Sequence, residues 1–114
     1  MRLALVALAL ATGCATSSVT GSFEGLSKAP SGAQRYVRVT LKPVGDAAVS
    51  TAFSNSSTRG FAEGEWTRDG MHVAVHLDSQ GEMVFRHAGD QLIPEQWDRA
   101  VWGEEGPGVL FRVR

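Results

Sequence analysis

The sequence predicts an all-β protein, a small antiparallel meander curled into a closed or partly open β-barrel, and three observations predict it. Thirteen glycines and four prolines in 114 residues cut the chain into short apolar runs, which favours many turns over long helices. Several of those runs alternate apolar and polar residues with a period of two, the pattern of a strand with one buried face. Asp-Gly and Gly-Asp pairs separate them at the spacing of tight hairpins. With 43% hydrophobic and 20% charged residues, the chain has room for one modest core.

The N-terminal segment stands apart from that core. Met1-Arg2 supplies a positive charge, Leu3 to Ala11 is unbroken apolar sequence, and Thr12-Gly13-Cys14 ends it with small residues. This order is that of an export signal and its cleavage site, and the apolar run is about half the ~20 residues that span a bilayer. The stretch Leu10-Ala11-Thr12-Gly13-Cys14 resembles a bacterial lipobox, which implies cleavage before Cys14 and acylation of the new N-terminus. Cys14 is the only cysteine, so it has no intrachain partner for a disulfide. The expected organisation is a signal peptide at 1–13 that is removed, a lipidated tether at 14–20, small, polar and flexible, and a barrel domain at 21–114. Two or more acyl chains anchor a protein stably where one holds it marginally. In a host with two membranes, Ala15 after the lipidated position implies sorting to the outer membrane, facing the periplasm. Loss of residues 1–13 leaves ten basic against twelve acidic side chains, a net −2. Such a balance attracts neither nucleic acid nor an anionic surface.

The strands are expected in the following order. The folded part begins near Phe23, and Leu26 to Ala33 is a Ser/Gly/Pro-rich connection. Tyr36, Arg38, Thr40 and Lys42 then alternate with Val37, Val39, Leu41 and Val44, one polar face and one apolar. Pro43 and Gly45-Asp46 end that run, Ala47 to Phe53 forms a weaker strand, and Ser54 to Arg59 is a polar loop. Asp69-Gly70 makes a two-residue turn that pairs Arg68 with Met71 and Trp66 with Val73, which makes Trp66 a core residue. On the next strand Met71, Val73, Val75 and Leu77 share one face; His72, Ala74, His76 and Asp78 share the other. A three-residue loop with Gly81 in the left-handed position then aligns Leu77 with Met83 and Val75 with Phe85. Gly89-Asp90 is a further turn, Gln91 to Ile93 a short strand stopped by Pro94, and Arg99 to Trp102 a further strand. Gly103 to Gly108 is an acidic loop, and Val109 to Val113 closes the sheet. Some eight short strands joined by tight turns suit a small barrel, whose closure removes exposed edges.

Gly64-Glu65-Trp66 before Arg68-Asp69-Gly70, then Val73, Val75, Phe85, Gly89-Asp90-Gln91-Leu92 and Leu110-Phe111-Arg112 resemble the NlpE-like lipoproteins of the copper-resistance type. The resemblance covers about the second half of the mature chain. It implies a lipocalin-like barrel, a lipid anchor and an envelope role. The paired cysteines that carry copper handling and surface sensing in that family have no counterpart after Cys14, so those roles do not carry over.

Candidate chemistry is sparse. His72 and His76 share a strand face, but four residues of strand separate them by ~13 Å, too far for two ligands with bonds near ~2 Å. His87 falls opposite Val73 and on the other face, so the histidines read as surface or barrel-end residues, and no metal or cofactor is expected. Glu63 and Glu65 alternate with core positions and point together toward solvent, where paired carboxylates do no acid-base work. The serines lie mostly in loops without a nucleophile elbow, and the acidic Gly103–Gly108 loop would repel phosphate. Trp97, Arg99 and Trp102 are the candidate binding residues: exposed Trp and Arg make interface hot spots, although a small domain can use both indoles as core. The expectation is a non-catalytic binding or envelope-sensing module, held to the membrane through Cys14 and meeting an envelope protein or small ligand. The alternatives are an inhibitor or accessory subunit docking a larger envelope protein through a Trp-rich rim, or a small hydrolytic enzyme. A cavity in the barrel would favour a small ligand, and a filled interior with an exposed apolar patch a protein partner.

Overall fold

The computed structural model describes residues 19–113. The expected signal peptide, Cys14 and most of the expected tether lie outside them. Eight antiparallel strands follow one another in chain order and close into a barrel: β1 (Gly21–Lys28), β2 (Gln34–Leu41), β3 (Asp46–Phe53), β4 (Arg59–Asp69), β5 (His72–Leu77), β6 (Gly81–Ala88), β7 (Gln91–Gln96) and β8 (Leu110–Arg112). A single helical turn, α1 (Arg99–Trp102), lies between β7 and β8. Among the described residues no helix is long and apolar enough to cross a membrane.

Alternation places the core. Val37, Val39 and Leu41 of β2, Val49 of β3, Val73, Val75 and Leu77 of β5, and Met83 and Phe85 of β6 are buried, with Phe23, Leu92 and Leu110 beside them. An eight-stranded barrel is just wide enough for such side chains to fill. β4 turns the sheet through its middle: Gly64 pairs with Ala47 of β3 and with Leu77 of β5. A Cβ at Gly64 would lie 1.8 Å from the His76 carbonyl oxygen, so the glycine lets the strands approach there.

The β4–β5 and β5–β6 hairpins are displaced from the expected register by two residues. Between β4 and β5, Arg68 pairs with Val73, and Trp66 with Val75 rather than Val73. The cause is that Gly70, with φ +64°, takes the first position of the loop instead of the second, leaving Asp69 as a strand residue opposite His72. Between β5 and β6, Leu77 pairs with Gly81, Val75 with Met83 and Val73 with Phe85. Gly81 has φ +73°, but it follows the loop as a paired residue, as in a bulged three-residue hairpin. His87 consequently lies beyond Val73 and donates its N–H to the Met71 carbonyl at 2.7 Å. A displacement of two preserves every facing, so the inward set of these strands stands apart from Met71.

Other expectations are corrected. Val44 and Met71 sit in hairpin tips and are exposed. Leu26 to Lys28 belong to β1 rather than to the following loop. Pro94 does not end β7: the ladder slips between Val84 and Phe85, so that Phe85 faces Pro94 and Val84 faces Gln96. The bulge takes up the residue that cannot donate. Arg99 to Trp102 form a helical turn instead of a strand because the Asp98 carboxylate accepts the Ala100 N–H at 2.9 Å as an N-cap. Trp66 packs against the core, half-buried, and its indole N–H reaches the Lys42 carbonyl at 2.8 Å.

Antiparallel order sorts the connections into two ends. One end carries the start of β1, the 42–45, 70–71 and 89–90 tips, and Val113. The other carries the 29–33, 54–58 and 78–80 loops and the long connection that contains α1.

Candidate functional site

The α1 end is closed by a lid built around Trp102. Asp98 caps the turn, the Gly103 N–H donates to the Arg99 carbonyl, and Gly103 leaves the helix at φ +84°. This geometry drives the Trp102 ring into the barrel, where it is 1% exposed. Beneath it lies Arg35, a charge on the inward face of β2 at a position that period-two alternation assigns to the core. Its guanidinium stacks 4.7 Å from the Trp102 ring centroid. It donates to the carbonyls of Trp102 at 2.8 Å, Gly106 at 3.2 Å and Lys28 at 3.4 Å, and to Ser27 Oγ at 3.2 Å. Burial pushes the Arg35 pKa below its ordinary value. The arrangement is a clamp: one rigid fork ties the lid to the first hairpin.

Trp97 and Arg99 lie on the outside of that lid. The Trp97 indole N–H donates to the Gly103 carbonyl at 2.9 Å, and Gly106 packs so closely on the ring that a Cβ there would fall 2.6 Å from it. Arg99 stands 6.0 Å from the Trp97 ring centroid and pairs with Glu104. Of the three candidate residues, Trp102 therefore takes the core alternative and offers no face to a ligand. Trp97 is half-buried and fastens the lid, and Arg99 with Glu104 remains an exposed charged rim.

The more extensive surface feature was not singled out from the sequence. Phe61 is 64% and Leu26 59% exposed, and Tyr36 and Phe111 are exposed with them. Register joins them. Leu26 faces Tyr36, Tyr36 faces Ala52, and Ala52 faces Arg59, two residues from Phe61; Phe111 faces Glu24, two residues from Leu26. Direct and diagonal neighbours on one sheet face are in reach of each other, so an apolar band crosses the outer wall from β8 to β4. Ion-paired Glu24 and Arg38, 3.3 Å apart, lie beside it. The Tyr36 phenol is pushed up in pKa, first by burial and then by its hydrogen bond to the Glu24 carboxylate. A shallow groove of about 290 Å³ runs along Leu26, Tyr36, Ala52, Phe53 and Arg59. A second groove links Leu26 through Gly32 to Glu105 at the lid margin, so wall and rim are continuous. The signal available in the sequence is apolar residues on polar parity: Leu26 shares a face with Glu24 and Lys28, and Phe61 with Glu63 and Glu65.

The histidines are dispersed. His72 Nε2 meets Glu95 at 3.1 Å on the outer face, where Arg86 shares the same carboxylate at 3.5 Å. His76 is exposed across from Glu65. His87 lies on the inward face at the end where β1 begins, edge-on to Phe23 with ring centroids 6.5 Å apart. Its pKa is lowered, mainly by burial and then by Arg68. Glu63 and Glu65 are both exposed. Among the described residues no group of three His, Cys, Asp or Glu is placed to hold a metal ion. No family model matches the chain, and neither a curated protein nor a solved structure shows significant similarity to it.

Proposed function

We propose that this is a lipid-anchored, non-catalytic module of the cell envelope that docks a protein partner, the kind of envelope role the NlpE-like resemblance implies. The observation that carries the reading is the contrast between the two faces of one sheet. The inner face is packed with fully buried side chains, whereas the outer wall leaves Leu26, Tyr36, Phe61 and Phe111 in contact with solvent. A contiguous exposed apolar patch rimmed by charge marks an interaction surface, and aromatic residues at its centre with ion pairs at its edge match the anatomy of protein interfaces. Arg99, Glu104 and Glu105 extend that rim over the lid. The lone Cys14 after an export signal supports the anchor.

Photo-crosslinking in the native host tests the reading. Benzoylphenylalanine at Tyr36 or Phe61 is expected to yield a discrete protein adduct, abolished by Leu26→Ser, whereas the same probe at His76 or Glu82 on the opposite wall yields none. Identical adducts from both walls, or none from Tyr36 and Phe61, would overturn it. Intact mass, wild type beside Cys14→Ser, checks the anchor separately.

A further inference from the structure

The end of the barrel from which the tether leaves exposes apolar hairpin tips. Val44, in the β2–β3 tip, is 83% exposed, and Met71, in the β4–β5 tip, is 58% exposed. Both lie at the end where β1 begins, the end that also carries Val113. Val19 is buried in the core cluster at that end, and Arg112 fixes the next residue by donating to the Thr20 carbonyl at 2.7 Å. The chain is thus tied to the barrel from Val19 onward. Only residues 15–18 separate it from the lipidated position, Cys14.

Covalent geometry sets the consequence. The five residue-to-residue steps from Cys14 to Val19 reach at most about 17 Å. A barrel built on eight-residue strands stands ~20 Å high at a strand tilt near ~40°, and the α1 lid rises above that. With acyl chains at Cys14 in the bilayer, the barrel cannot stand lid-down on the lipid surface, and the tether end stays within about 17 Å of it. We infer that the barrel rests on the membrane through this end, with Val44 and Met71 dipping into the headgroup region and the Trp97, Arg99 and Glu104 lid turned away. The occupant of these tips is the bilayer that holds the anchor. Lys42, Arg68 and Arg112 alternate with Asp46, Asp69 and Asp90 around this end, so contact is apolar rather than electrostatic, and zwitterionic lipid suffices. The inference rests on the lipoprotein reading and adds the orientation in which a partner meets the wall and lid.

Acylation leaves the mature chain without a free thiol, so Val44→Cys, Met71→Cys and Glu105→Cys each provide a single labelling position. The full lipidated proteins, carrying an environment-sensitive NBD label, are reconstituted in phosphatidylcholine vesicles with and without nitroxide-labelled lipid. Labels at 44 and 71 are expected to shift to the blue and to be quenched at least threefold more than the label at 105. Equal quenching at all three positions, stronger quenching at 105, or no quenching at 44 and 71 would overturn the orientation. Intact mass and vesicle flotation of the same samples separate this from failure of the anchor itself, because an unacylated chain carries a second reactive thiol and does not float.

Discussion

Arg35 of β2 is the residue that ties the lid to the first hairpin. Among the described residues no carboxylate pairs with it. Its charge is instead distributed over three carbonyls, a hydroxyl and the face of Trp102. Arg35→Ala would therefore leave acceptors of Trp102 and Gly106 buried and unpaired, at about 1–3 kcal/mol for each such group. A loss of about 3 kcal/mol is the expected total, which lowers the melting temperature by on the order of 15 °C in a domain this small. Arg35→Lys keeps the charge, but a single ammonium cannot span carbonyls contributed by β1 and by the lid, so it recovers less than half. Thermal unfolding followed in the near-ultraviolet, where the Trp102 environment reports on lid packing, measures both variants. A loss below about 1 kcal/mol in Arg35→Ala would show that the lid holds without the clamp.

At the scale of elements, β4 decides whether the meander closes. Its 11 residues pair with β3 through Ala52↔Arg59 to Asp46↔Glu65 and with β5 through Gly64↔Leu77 to Asp69↔His72, so the two ladders overlap at Gly64 and Glu65. The inward residues Gly60, Ala62 and Gly64 are small, where β5 offers Val73, Val75 and Leu77. That asymmetry admits the curvature. Gly64→Ala is expected to cost more than the ~1 kcal/mol of an ordinary strand substitution, because its methyl group would overlap the backbone of His76 and Leu77. Amide hydrogen exchange should then accelerate across β4 and β5 before β1 and β2, and uniform acceleration would refute the corner role. The same elements show what was legible beforehand. Period-two alternation gives facing, so the inward residues of β2, β5 and β6 were readable; it leaves an even displacement of register undetermined. The choice between Gly70 as first or second loop residue decides that displacement, and Asp-Gly satisfies either. Pro94 and Arg99–Trp102 depart from expectation for a related reason: a bulge and an N-cap depend on what lies across the sheet or one residue upstream, here Phe85 and Asp98. The apolar band was legible only in parts, since Leu26, Tyr36, Phe61 and Phe111 come from four strands and meet only once their registers are known.

The whole molecule poses the question of what a closed barrel of this size can hold. Trp102 stops one end, Val19 and Phe23 the other, and Phe85 and Met83 fill the middle alongside the valines of β2 and β5. If that interior is full, an apolar probe as small as benzene finds no site in the native protein, and its addition leaves the melting temperature unchanged. Phe85→Ala should open such a site. Truncating a fully buried Phe costs about 3–5 kcal/mol through lost transfer energy and the hole left behind, and a dry cavity of this kind accepts benzene or xenon. Benzene at about ten times its Kd would then return ~1.4 kcal/mol to the variant by mass action while doing nothing for the wild type. Melting curves of both proteins with and without benzene separate the two ways such a barrel can function. Stabilisation confined to Phe85→Ala means that recognition belongs to the outer wall and rim, as the exposed band suggests. Stabilisation of the wild type would reveal a cavity already present between the strands and return the barrel interior to consideration as a small-ligand site.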